Sequence, residues 1–187
     1  FVFNKNIKIQ NLFLLVASYF FYACWDWRFL GLIFLSSLVD YSVGRLLAKT
    51  KAKSKRNLLL ITSLMVNLGI LGFFKYYNFF LESFQEVFLL FGRSLESSTL
   101  DILLPVGISF YTFQTLSYTI DVYRERIEPT NNMLSFFAFV SFFPQLVAGP
   151  IERASNLLPQ FERKRTFDYT KSVDGLRLIL LGLFKKM

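Results

Sequence analysis

The sequence predicts an all-α, polytopic membrane protein with about four spanning helices, a re-entrant segment and amphipathic helices. Hydrophobic residues make up 53% of the 187 residues, and the mean hydropathy is +0.42. A soluble domain of this size cannot bury that much apolar surface. The net charge is +8, but the Lys and Arg residues lie in short segments between apolar runs. That distribution is typical of membrane topology and not of a nucleic-acid-binding surface, so no nucleic-acid partner is expected.

Two apolar runs, Ile9 to Trp25 and Phe29 to Leu47, predict the first two spanning helices. The first would rise about 26 Å as a helix, which nearly matches a hydrocarbon core of about 30 Å. A very short turn containing Asp26 and Arg28 connects them. Asp40 lies inside the second run, and a carboxylate at that depth is expected to face the bundle interior. A structural polar contact and a role in a functional path both remain open for it.

The connection after the second span predicts the orientation. Six basic residues and no acidic residue lie between Arg45 and Arg56, which places this loop in the cytoplasm. The third span, Leu58 to Phe74, then leads outward. An amphipathic pattern begins after Lys75, and we expect a separate helix there, lying along the outer membrane surface or over the bundle.

The fourth predicted span, Ile102 to Ile120, carries no charge and has Pro105 in its first turn. Polar side chains recur along it at three- and four-residue steps, so they share one helical face that must turn inward: Tyr111, Gln114, Ser117, Tyr118 and Asp121. Interhelical hydrogen bonding and a substrate-contacting wall both explain such a face.

The stretch from Met133 to Ile151 predicts a re-entrant segment. Its uninterrupted apolar part is too short to cross the membrane, and basic segments on both sides place its two ends in the cytoplasm. Pro144 and Pro150 exclude one regular helix and predict bends at Phe143 and Gly149. A broken backbone at membrane depth requires surrounding protein or a water-filled cavity.

Several kinds of chemistry are absent from the sequence. Cys24 is the single cysteine, which excludes an internal disulfide and a multi-cysteine metal site. The chain has no histidine, and it has no phosphate-binding loop or G-x-S-x-G nucleophile elbow. We therefore predict no metal site.

Two long motifs carry a resemblance to a known family. LLPVGISFYTFQTLSYTIDVYR (Leu103 to Arg124) and FFPQLVAGPIERASNLLPQF (Phe142 to Phe161) closely resemble the membrane-bound O-acyltransferase family, in its bacterial alginate O-acetylation branch. The resemblance implies a multi-pass enzyme of the bacterial cytoplasmic (inner) membrane, with a tunnel through it. Residues 1–187 would then be a single incomplete domain, the N-terminal portion of that enzyme, truncated at both ends.

The resemblance also implies a reaction. An acyl group, acetyl in this branch, would be taken from acyl-CoA or another acyl thioester, with no covalently bound cofactor. It would pass across the membrane to hydroxyls of a cell-surface polysaccharide, with an exterior acyltransferase as partner protein. A histidine of the family is the expected base. Because this chain has none, we expect that residue downstream of Met187, and we expect the fragment alone to be inactive.

What remains in this chain would be scaffold and part of the tunnel wall, with these candidate residues: Gln114, Tyr118, Asp121, Arg124, Pro144, Gln145, Gly149, Pro150 and Arg153. Pro144, Gly149 and Pro150 are expected to shape the backbone. Gln145 either bonds freed backbone groups or lines the acyl route, and Arg153 either attracts the phosphates of coenzyme A or anchors the chain at the interface. A membrane transporter and a noncatalytic scaffold subunit are the alternative functions.

Overall fold

A computed structural model of the chain describes residues 6–90, 105, 107–149, 152–165 and 167–186. Within these ranges it contains helices and connecting turns and no β-strand, which confirms the all-α class. In chain order the helices are α1 (Ile7–Asp26), α2 (Leu30–Lys49), α3 (Lys53–Leu90), α4 (Ile108–Tyr123), α5 (Met133–Val140), α6 (Phe143–Ala148), α7 (Ala154–Glu162) and α8 (Tyr169–Lys186).

The distribution of polar side chains is that of a protein surrounded by lipid. Asn11, Ser36 and Asn67 are fully buried between helices, whereas Phe20 and Met65 are 71% and 70% exposed. Two helical stretches, Ile7–Lys49 and Lys53–Leu89, are long and apolar enough to cross a membrane. In water, exposed apolar side chains around a polar interior would be unfavourable. In a bilayer, lipid covers the apolar side chains and the polar ones bond each other inside the bundle. The chain is a membrane protein.

The connection between α1 and α2 follows the prediction closely. A short 3-10 turn, Trp27–Phe29, joins the two helices. The Asp26 carboxylate accepts a hydrogen bond from the backbone N–H of Arg28 at 2.9 Å and forms an ion pair with its guanidinium at 2.6 Å. This local pairing satisfies the charge at a tight turn, so α2 starts within one residue of its predicted position.

Helix α3 corrects the prediction for the region after Lys75. It runs without interruption over 38 residues, or about 57 Å, so the predicted separate amphipathic helix is the second half of α3. The stretch 75–90 contains no Pro or Gly. A change from apolar to partly polar side chains alters the surroundings that a helix prefers, but it does not by itself end the helix.

The start of α4 also differs from the prediction. Pro105 precedes the helix instead of lying in its first turn, and its carbonyl accepts from the Ile108 N–H at 3.3 Å. Gly107, with φ of +75°, forms the N-cap. The left-handed conformation is readily available to glycine and ends any helix arriving from upstream. Residues 102–104 of the predicted span lie outside the described residues.

Helices α2, α3 and α4 meet around the buried carboxylate of Asp40. Asn67 donates to its Oδ2 at 2.7 Å, Thr119 donates to its Oδ1 at 3.0 Å, and the Ser63 hydroxyl donates to Oδ1 as well. Ser36 in turn donates to the side-chain Oδ1 of Asn67 at 2.6 Å. The structural reading of Asp40 is therefore supported, since its partners are neutral side chains of neighbouring helices.

The segment after α4 turns back on itself. The hydroxyl of Thr130, just before α5, hydrogen-bonds Glu162 at the end of α7. The backbone break lies at Ser141 and Phe142, just before the predicted bend at Phe143, and α6 begins at Phe143. Helix α6 ends before Gly149, where the second bend was predicted, whereas Pro150 and Ile151 lie outside the described residues. The basic segment that follows the predicted re-entrant stretch contains α7 and the first half of α8.

Candidate functional site

The break between α5 and α6 leaves two backbone groups that a continuous helix would pair with each other, the carbonyl of Phe139 and the N–H of Phe143. Two other helices supply their partners. Gln114 of α4 donates its amide N–H to the Phe139 carbonyl at 2.9 Å, and the Ser18 hydroxyl of α1 accepts from the Phe143 N–H at 3.4 Å. The broken backbone is therefore held by surrounding protein, which is the condition for such a break inside lipid.

Two glycines allow the backbone to approach closely around α6. A Cβ at Gly107 would lie 3.1 Å from the Leu146 carbonyl oxygen, so a larger residue would push α4 and α6 apart. A Cβ at Gly149 would lie 2.8 Å from the Cα of Gln145. Glycine at these positions lets a six-residue helix turn sharply while remaining packed against the start of α4.

Gln145 is the polar side chain of α6 and is 6% exposed. Neither its Oε1 nor its Nε2 has a hydrogen-bond partner within the part of the chain that the structure describes. Beside it lies a cavity of about 210 Å³, lined by Phe142, Pro144, Gln145, Gly149, Glu152 and Leu157. The lining is almost entirely apolar apart from the side chains of Gln145 and Glu152.

A second polar junction joins α1, α5 and the end of α7. The amide of Asn11, fully buried, donates to the Phe161 carbonyl at 2.7 Å and to the Ser135 hydroxyl at 3.0 Å. Arg165 donates to the side-chain Oδ1 of Asn11 at 2.7 Å. Partial burial of this guanidinium lowers the pKa of Arg165 from its ordinary value. The junction fixes the returning end of the α5–α7 segment against the first helix.

The end of the bundle predicted to be cytoplasmic is organised by Arg56. Its guanidinium donates to the Tyr123 carbonyl at 2.6 Å and forms an ion pair with Glu125 at 3.0 Å. These contacts bring the basic α2–α3 connection to the exit of α4, beside a cavity of about 380 Å³. Both segments were predicted to lie on one side of the membrane, and the structure places them at one end of the bundle.

The nine candidate residues do not gather into one site. Gln114 and Tyr118 are fully buried, and Asp121, 8% exposed, lies 3.8 Å from Arg126. The Tyr118 hydroxyl accepts from the Thr130 N–H at 3.3 Å. The remaining described candidates occupy the α6 turn or the surface: Pro144, Gln145, Gly149, Arg124 and Arg153, of which Pro144, Arg124 and Arg153 are exposed. Pro150 lies outside the described residues.

Sequence reasoning missed most of the buried polar side chains that connect the helices. Three pairs share four-residue spacing inside apolar runs, and this spacing is a signal that the sequence does contain: Ser36 with Asp40, Ser63 with Asn67, and Thr115 with Thr119. Residues four apart lie on one helical face, so each pair predicts an inward polar stripe. The partner of each stripe on another helix cannot be deduced from this spacing.

The described residues can bind and orient a small group, but their chemistry is limited. They contain no cluster of acidic, Cys or His side chains able to hold a metal ion, and the chain has no histidine to act as base. The α6 turn combines a buried amide, an apolar cavity and a backbone held by two other helices.

Comparison with known proteins identifies relatives along nearly the whole chain. It is 40% identical over 181 residues to the probable alginate O-acetylase AlgI of Pseudomonas aeruginosa, covering 96% of this chain and 34% of that protein. It is 40% identical to the protein of the same name from Azotobacter vinelandii, covering 96% of this chain and 36% of that protein. It is also 36% identical to the peptidoglycan O-acetyltransferase of Helicobacter pylori, covering 98% of this chain and 39% of that protein.

The chain thus spans about a third of the length of the curated relatives it matches. No protein-family model and no solved structure matches it. The predicted resemblance is confirmed: along 96% of its length the chain is homologous to part of proteins named as alginate O-acetylases, and along 98% to part of one named as a peptidoglycan O-acetyltransferase.

Proposed function

We propose that the protein to which this chain belongs is a membrane O-acetyltransferase that modifies a cell-surface polysaccharide. The observation that carries the proposal is 40% identity along 96% of the chain with relatives named as alginate O-acetylases. A relative at similar identity is named as a peptidoglycan O-acetyltransferase. Both names describe acetyl transfer to a glycan, so the proposal specifies the reaction and leaves the polymer to experiment.

The proposed topology is multi-pass in the bacterial cytoplasmic membrane, with α1, α2, α3 and α4 each crossing it. Helices α1 and α2 are each about 30 Å long and α4 is about 24 Å long, and α3 is longer than any of them. The segment from α5 to α7 enters and leaves on the cytoplasmic side. The hydrogen bond between Thr130 and Glu162 supports this, because it joins the two ends of the segment.

The residues in this chain decide which parts of the proposed reaction it can supply. In the proposed reaction an acyl thioester such as acetyl-CoA donates the acetyl group, and a glycan hydroxyl attacks it. A base that accepts the hydroxyl proton lowers the barrier. This chain contains no histidine, so we assign that base to the part of the protein outside these 187 residues. The chain's own helices would build the scaffold and a wall of the acyl route, and an exterior acyltransferase would complete the transfer.

The test is the acetyl content of surface polysaccharide in the host with and without the complete gene. Loss of O-acetyl groups on deletion, restored by the full-length protein, is expected. Unchanged acetylation would refute the proposal. A transporter would instead require uptake or export of a solute, and a scaffold would require that acetylation continue when the acetylating partner is overproduced. The relatives' names favour the enzyme over both alternatives.

Variants of the full-length protein test the tunnel-wall assignment. Gln114→Leu and Asp121→Asn should lower acetylation more than Lys51→Gln, because Gln114 and Asp121 are buried whereas Lys51 is exposed in the α2–α3 connection. The measurement is acetylated product per cell at matched membrane abundance. Equal loss in all three variants would contradict the assignment.

A further inference from the structure

The amide of Gln145 forms no hydrogen bond that would hold the described part of the fold together. Both of its polar atoms are inaccessible and lack a hydrogen-bond partner within the described ranges. Burying an amide without such a partner is unfavourable, and more so in an apolar environment. A side chain of this kind usually has a partner that the folded chain does not itself provide.

The backbone break offers no explanation for this amide. Two of the groups freed by the break, the Phe139 carbonyl and the Phe143 N–H, are paired by Gln114 and Ser18 on two other helices. The N–H of Gly149 closes the end of α6 on the Gln145 carbonyl at 3.2 Å, which uses the backbone of Gln145 and not its side chain. The alternative reading of Gln145, that it bonds freed backbone groups, is therefore not supported by the described contacts.

The neighbouring cavity limits what the partner can be. Its volume is about 210 Å³, enough for a group of several heavy atoms, and Gln145 forms part of its wall. Phe142, Pro144 and Leu157 make most of the lining apolar. A sugar ring carries several hydroxyls, and each would need a partner that this lining lacks. An acyl thioester end needs one hydrogen-bond donor for its carbonyl oxygen and apolar surroundings for its methyl group and sulfur.

We propose that the Gln145 amide binds the carbonyl oxygen of the acyl group being transferred, with the thioester end seated in the cavity beside α6. This assignment rests on the proposed acetyltransferase function and specifies which end of the donor the cavity takes. Because neither polar atom of Gln145 is accessible in the structure, binding requires the side chain to rotate toward the cavity. Its Nε2–H then donates to the acyl oxygen, which orients the carbonyl carbon. The same contact stabilises negative charge that develops on that oxygen as the acceptor hydroxyl attacks and the thiolate leaves.

The test uses full-length protein carrying Gln145→Leu, which keeps the side-chain volume and removes the donor. Gln160→Leu is the matched control, because Gln160 is exposed on α7 and bonds only the Asn156 carbonyl of its own helix at 3.2 Å. Two donors are compared. Acetyl-CoA carries the nucleotide, and S-acetyl-N-acetylcysteamine shares only the acetyl thioester end.

We expect Gln145→Leu to lower kcat/KM for both donors by about tenfold or more, and by the same factor for each. Gln160→Leu should leave both values unchanged. The melting temperature of Gln145→Leu should be equal to or higher than that of the wild type, because the substitution removes an unpaired buried amide. A structural role would instead lower it.

Two results would overturn the assignment while leaving the proposed function intact. One is an unchanged kcat/KM for both donors in Gln145→Leu. The other is a loss restricted to acetyl-CoA, which would place Gln145 near the nucleotide. If the wild-type protein transfers no acetyl group from either donor, the proposed function itself fails.

Discussion

Replacing Asp40 with alanine should destabilise the bundle by loosening three helices at once. Ser63 and Asn67 of α3 and Thr119 of α4 all donate to its carboxylate, which is fully buried on α2. Interhelical hydrogen bonds inside membranes contribute about 0.6 kcal/mol each on average and up to about 1.7 kcal/mol. Three of them give a loss of about 2 kcal/mol at the average value and about 5 kcal/mol at the largest, and we expect the lower figure.

The loss should stay near that value because the stranded donors have other acceptors. A serine or threonine hydroxyl in a helix can donate to the backbone carbonyl four residues earlier, as the hydroxyls of Ser37 and Ser42 in α2 do at 2.7 Å. The Asn67 amide already donates to the Ser63 carbonyl at 3.0 Å. A loss of about 2 kcal/mol lowers the melting temperature by roughly 4–8 °C in a domain of 150–250 residues, and by less in the longer full-length protein.

The assay is thermal unfolding of purified full-length protein in detergent, followed by tryptophan fluorescence. Asp174→Ala is the control, because Asp174 is exposed on α8 and pairs with Arg177 at 3.3 Å. An exposed ion pair contributes about 0–1 kcal/mol, so this variant should melt close to the wild type. If Asp40→Ala melts at or above the wild-type temperature, the carboxylate is not a junction of the three helices.

Two further predictions concern local contacts. Gly44→Ala should lower the stability by about 1–3 kcal/mol, because the new Cβ would lie 2.8 Å from the Tyr118 ring. Gly31→Ala should be neutral or stabilising, because nothing lies within 4 Å of the new Cβ. The melting temperatures of the two variants check this. Arg28→Ala should raise the pKa of Asp26, which hydrogen bonds from Arg28 hold below its ordinary value in the turn outside the first two predicted spans. The stability that this pairing contributes is present above the ordinary carboxyl pKa and is lost as the pH falls through the lowered pKa of Asp26. NMR titration of the Asp26 carboxyl carbon measures that pKa. An unchanged Asp26 titration in Arg28→Ala would contradict that assignment.

The first two helices could be predicted from sequence because their ends carry local signals. Asp26 and Arg28 mark a turn between apolar runs, and local hydrogen bonds close it. The same reasoning failed for α3, where hydropathy changes after Lys75 but nothing breaks the helix. It also failed for α7, because the charges around Glu152 and Arg163 masked an amphipathic pattern of Ala154, Leu158 and Phe161, all buried.

The roles of the two glutamines could not be separated from sequence. Both lie in apolar surroundings, and both were candidates for the tunnel wall. Gln114 pairs with a carbonyl 25 positions away on α5, whereas Gln145, next to the break, pairs with no described residue. Proximity in sequence to the break could not decide the role of Gln145, because the donor for a freed carbonyl comes from whichever helix packs against it.

Pairing therefore separates scaffold from candidate site better than polarity does in this bundle. Asp40 and Asn11 are as polar as any residue here, yet each has its hydrogen-bonding partners on neighbouring helices. Inside lipid an unpaired group is costly, so one that persists needs a partner from elsewhere. Among the described residues that criterion selects the Gln145 amide and three hydroxyls, those of Tyr19, Tyr111 and Thr112. Tyr19 follows Ser18, which bonds the first residue of α6, and Tyr111 and Thr112 lie near the start of α4, the helix that packs on α6 at Gly107. The unpaired groups therefore lie on the helices that pack around α6, whereas the paired ones hold the rest of the bundle together.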